Sequence, residues 1–72
     1  MVLRLKQERV LRGWSQTKLG WFAGGVAQAD ISAIENCRRT AGKGQRQRIA
    51  FAMGMREEHL FTPVGDSREG DR

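Results

Sequence analysis

Apolar residues recur along this chain at helical spacing, and glycines separate the stretches in which they do so. No segment alternates apolar and polar side chains long enough to read as a strand. The pattern predicts five short helices. The first spans residues 2–12 and stops at Gly13. Two stripes compete for its inner face: Val2, Leu5 and Arg9, or Leu3, Val10 and Leu11. Ser15 is a side chain suited to capping a second helix over residues 16–23, which Gly24 and Gly25 end. A third helix covers residues 28–36 and turns Ile31, Ile34 and Ala27 inward. "CRRTAGKG" reads as loop. A fourth helix runs from residue 44 or 45 to 53, buries Ile49, Ala50 and Met53, and ends at Gly54. "REEHLF" makes a fifth, with Leu60 and Phe61 packing back. The expectation is an all-α domain over residues 1–61, followed by a flexible polar tail over 62–72.

Seventy-two residues form one small domain with a modest core. Cys37 and His59 are alone of their kinds, so neither an internal disulfide nor a zinc site is available, and no metal or cofactor is expected. A single unpaired thiol fits a cytoplasmic setting. The apolar runs are short and interrupted by charge, so no membrane span is expected.

Charge changes the picture more than length does. The net charge is +5, and residues 1–61 hold eleven basic groups against five acidic ones. Residues 36–56 carry Arg38, Arg39, Lys43, Arg46, Arg48 and Arg56 with no carboxylate among them. A basic stretch of this kind is either a solvated face or a surface for an anionic partner.

The spacing of helices two and three favours the anionic partner. A short, glycine-bearing turn lets two short helices cross steeply, provided a small residue sits at the contact and an apolar one plugs the turn. Gly20 and Val26 suit those two roles. The outer side of the third helix is then free, and a helix of this width fits the major groove of DNA.

"RGWSQTKLG", "ISAIEN" and "RIAFAMGM", in that order, resemble the helix-turn-helix domain of phage Cro and repressor proteins, the XRE family. The likeness covers residues 3–61. It implies a lambda-repressor-like fold of five helices, with the helix-turn-helix at helices two and three. It also implies sequence-specific binding of double-stranded DNA in transcriptional regulation, as a repressor, by a homodimer. By position, the resemblance puts Gln28, Ala29, Ser32 and Ala33 on base edges. The chemistry is compatible: a glutamine amide pairs bidentately with adenine, and alanine methyls pack on thymine methyls. The same carry-over puts Gln16, Asn36, Arg38, Arg39 and Thr40 on phosphates, and the basic stretch adds Lys43. Arg9 and Glu35 match a structural ion pair between helices one and three.

Several positions depart from that pattern. The turn "AGGV" has one residue more than is usual, and Ala27 cannot cap the third helix with its side chain. Cys37 stands where glycine is common. Arg46 stands where a core leucine is common, so the fourth helix is either under-packed there or has an arginine reaching outward. Asp30 lies near the groove face, where phosphate would repel it, or else supports the start of the third helix.

An antitoxin-like module that neutralises a partner protein could use the same fold, with Trp21 and Phe22 as anchors. A helix lying on membranes would need apolar faces that the domain uses internally. No paired-carboxylate, metal or nucleophile constellation points to an enzyme, and no small-molecule ligand is evident. "AGKGQ" lacks the spacing and the Ser or Thr of a phosphate-binding loop.

Overall fold

A computed structural model describes residues 1–65, and its chain is mostly helical. Five helices follow in order: α1 (Arg4–Leu11), α2 (Gln16–Phe22), α3 (Gln28–Glu35), α4 (Lys43–Met53) and α5 (Glu57–Leu60). Two short strands, β1 (Val2–Leu3) and β2 (Pro63–Val64), flank them. They pair antiparallel, Val2 with Val64 and Leu3 with Pro63. The helical fold expected from the sequence is therefore present, with a small ribbon added. Val2 and Leu3 do not belong to α1, because their backbone groups face Thr62 to Val64; the Arg4 N–H donates to Thr62 O at 2.9 Å. The ordered domain thus extends past residue 61, and the remainder of the expected tail, 66–72, lies outside the described residues.

The core forms where the helices converge. Leu5, Leu19, Ile31, Ile34, Ile49 and Leu60 are fully buried, one or two from each helix. On α1, Leu5 and Arg9 of the first candidate stripe turn inward, while Val10 and Leu11 of the second stay in solvent; Val2, in β1, is buried as well. Leu3 is also buried, carried there by the strand and not by helical periodicity. Each fully buried Leu or Ile contributes roughly 1.5–3 kcal/mol of transfer free energy.

Helix ends follow local chemistry. Ser15 Oγ accepts the Lys18 N–H at 3.0 Å and caps α2. Gly13, Gly24 and Gly54, after α1, α2 and α4, have positive φ. Cys37 takes the same conformation after α3, with φ 60°. Its N–H donates to Ile34 O at 3.1 Å and the Arg38 N–H donates to Ala33 O at 2.8 Å. That is the paired bonding of a Schellman ending, made by a residue that has a Cβ.

The α2–α3 turn depends on backbone proximity. A Cβ on Gly20 would stand 2.0 Å from Val26 O, so only glycine fits. The Gly25 and Val26 N–H groups both donate to Gly20 O, each at 2.9 Å. The additional turn residue is absorbed because Gly24 and Gly25 both adopt positive φ. Val26 is buried in the turn, whereas Ala27, expected to face inward, is exposed. It precedes the first helical residue of α3 in extended conformation, so helical periodicity does not reach it.

Arg46 reaches outward from α4. Its guanidinium lies 5.0 Å from the centre of the Phe61 ring, and Nε is 3.5 Å from Glu57 Oε1. That contact is an ion pair too poorly aligned to be a hydrogen bond, which leaves Nε without a hydrogen-bond partner. Beside it a cleft of about 170 Å³ remains among Leu3, Ile34, Cys37, Ala41 and Phe61. The arginine therefore reaches outward in part: its side chain is 38% exposed, while Nε stays buried.

Candidate nucleic-acid interface

α3 has two unlike sides. Ile31, Ile34 and Glu35 are buried against the rest of the domain. Gln28 and Ala29 are exposed, and Ser32 and Ala33 are half-buried. Residues separated by four positions share a helix face, so these four side chains form one strip along the side away from Ile31 and Ile34.

The buried side is anchored by an ion pair. Arg9 Nε donates to Glu35 Oε2 at 2.6 Å and Arg9 Nη2 to Glu35 Oε1 at 3.2 Å. The Arg9 Nη1 donates to Trp14 O at 2.6 Å. Glu35 is wholly inaccessible, so its charge depends on these bonds. This fork ties α1 to α3, the elements that the resemblance implies it joins.

The network runs from the core to the surface. Gln16 Nε2 donates to Glu35 Oε1 at 3.1 Å, and Gln28 Nε2 donates to Gln16 Oε1 at 2.5 Å. Gln16 and Gln28, assigned to phosphate and base, are thus brought together. A chain of bonds from the buried carboxylate fixes both amides.

Arg39, beyond the C-terminal end of α3, reaches back so that Nη1 donates to Asp30 Oδ1 in the first turn of the helix, and Nη2 donates to Gln45 Oε1 at 3.1 Å. Gln45 Oε1 also accepts the Gly42 N–H at 3.2 Å, closing the start of α4. Asp30 is therefore neither a bare charge on the groove face nor only a first-turn acid; it holds Arg39. Asn36 is half-buried, with Nδ2 donating to Ser32 O at 2.9 Å. Arg38, Thr40 and Lys43 are exposed, and among the described residues neither Arg38 nor Lys43 has a carboxylate partner. Lys43 opens α4, on the far side of the loop.

Sequence reasoning gave Gln45 no role, although a Gln three residues after a helix-start glycine is a recognisable signal. It also passed over Phe51, which is 89% exposed. Ile49, Ala50 and Met53 define the inner stripe of α4, and residue 51 falls off it.

Among the described residues, no group of three or more His, Cys, Asp and Glu could hold a metal ion, and no helix is long and apolar enough to cross a membrane. Comparisons with protein-family models, with curated proteins and with solved structures give no match.

Proposed function

We propose that this chain is a sequence-specific DNA-binding regulator, acting as a cytoplasmic repressor, that lays the outer side of α3 in the major groove. The observation that carries the reading is the division of α3. Ile31, Ile34 and Glu35 are committed to the interior, while small and amide side chains line the free side beside unpaired cations. α2 and α3 then act as the helix-turn-helix, and no catalytic step is involved.

The amide network supports a specific role for Gln28. One of its two N–H groups is used on Gln16. One N–H and the carbonyl remain, the donor and acceptor that adenine requires on its major-groove edge. The link back to Glu35 means the amide is already ordered before DNA arrives, which lowers the entropy cost of the contact. Arg38 and Lys43 supply charge to phosphates without first giving up a carboxylate, and Arg39 must exchange Asp30 for phosphate. A homodimer reading two half-sites about 34–36 Å apart accounts for the size of so small a reader. Residues from α5 onward are the surface we assign to that contact.

The test is selection of bound duplexes from a random pool at near-physiological salt, followed by salt titration of the best site. Log affinity is expected to fall linearly with log salt, with a slope of about −0.9 per neutralised phosphate. Gln28→Ala is expected to cost about 1–3 kcal/mol on the selected site and to relax preference at one base pair. Arg38→Ala should weaken all duplexes alike. Absence of association with varied duplexes at low ionic strength would falsify the proposal.

A further inference from the structure

A second surface stands apart from α3 and from the basic loop that follows it. Phe51 on α4 is 89% exposed, and Trp21 at the end of α2 is 75% exposed. Between these helices lies a shallow groove of about 430 Å³, lined by Phe22, Ala23, Gly24, Gln47, Arg48 and Phe51. Trp21 stands beside the groove residue Phe22: its ring centre is 5.9 Å from that of Phe22. Phe22 packs in turn against Trp14 in a tilted arrangement, with ring centres 4.8 Å apart, so the wall of the groove is braced.

Large aromatic side chains in solvent cost hydration free energy, and contiguous exposed patches mark places where another surface lands. Aromatic anchors in a groove between two helices suit an apolar helix face laid along it. The charges at the border identify the occupant. Lys18 Nζ lies 5.7 Å from the Phe22 ring centre, and Arg48 lines the groove itself. Among the described residues neither cation is paired with a carboxylate. A second copy of this chain, set symmetrically on the groove, would bring like charges together at the same border. Residues 66–72 carry carboxylates but no apolar side chain, so they cannot fill it either.

We infer that the α2–α4 groove, centred on Phe22 and Phe51, is a docking site for an acidic amphipathic helix of another protein. Apolar residues of that helix meet the two phenylalanines and Trp21, and its carboxylates meet Lys18 and Arg48. The inference stands on a different surface from the DNA reading and does not depend on it.

Two display libraries of peptides about 16 residues long, enough for roughly four helical turns, test it. Both place apolar residues at helical spacing; one surrounds them with Glu and the other with Lys. The full chain is expected to enrich the Glu library only. Enriched peptides should bind at least about 10-fold more weakly to Phe51→Ser, a hot-spot-sized loss, and more weakly to Arg48→Glu. Phe51 is in solvent, so Phe51→Ser should keep the wild-type circular dichroism and the wild-type affinity for any duplex. Enrichment of neither library or of the Lys library, or equal peptide binding by Phe51→Ser, overturns the inference. So does a concentration-dependent dimer that Phe51→Ser dissolves, which would assign the groove to a second copy.

Discussion

Two ion pairs hold α3, and they differ in almost everything except chemistry. Arg9–Glu35 is closed off, with side-chain exposures of 10% and 0%. Arg39–Asp30 lies at the surface, with exposures of 42% and 40%. In the first, the carboxylate has no access to water, so its partners decide whether α3 can sit on the domain at all. In the second, water solvates both ions whether or not they touch, so the contact is nearly neutral and can be exchanged. One pair fixes where the helix is. The other sets how much positive charge stands free beside it.

The largest test of that contrast removes one buried partner. Glu35→Ala leaves Arg9 beneath the surface without its anion, and Gln16 and Gln28 without their anchor. It is expected to cost about 3–5 kcal/mol in chemical denaturation. A small domain has little more than that to lose, so the variant should be largely unfolded at 37 °C. The paired replacement Arg9→Met with Glu35→Leu should recover most of the loss, because apolar side chains carry no desolvation penalty. If the single change cost less than 1 kcal/mol, the buried pair would be no different from the surface one.

A smaller effect comes from the ending of α3, which lies between Glu35 and Arg39. Cys37 stands in left-handed conformation with a Cβ, so Cys37→Gly removes strain while keeping the Schellman bonds. The expected gain is about 1 kcal/mol, or roughly 4–8 °C in Tm for a domain of this size. A lower Tm would mean that the thiol contributes packing at the cleft edge that outweighs the strain.

The smallest change in stability belongs to the surface pair. Asp30→Asn should alter the unfolding free energy by less than about 1 kcal/mol. On the proposed DNA reading its effect appears in binding instead: Arg39 no longer gives up a carboxylate, so affinity rises for all duplexes and the salt slope steepens by up to about one phosphate contact. An unchanged slope would show that Arg39 stays in the loop and takes no part.

How much of this was legible depends on the distance over which each feature acts. The inner stripes of α3 and α4, the Ser15 cap and the glycine stops are properties of a few neighbouring residues, and periodicity exposes them. Gly20 and Val26 could be assigned because the turn between α2 and α3 is short enough to constrain both. The β1–β2 ribbon could not be read. Two residues are too few to display alternation, and their partners lie some sixty positions away. The links from Gln28 through Gln16 to Glu35, and from Asp30 to Arg39 and Gln45, were likewise hidden, since each joins residues that only folding brings within hydrogen-bond reach.

The linear order of apolar, small and charged side chains determined that this chain is helical, roughly where its helices turn, and the inner stripes of α3 and α4. Those outcomes follow from local backbone preference and from burial, which act on each segment separately. Which polar groups are held and which are free was decided only in three dimensions. Glu35 and Asp30 are both carboxylates on one short helix; the packing of α1 and α2 over one of them makes it structural, and solvent around the other leaves it exchangeable.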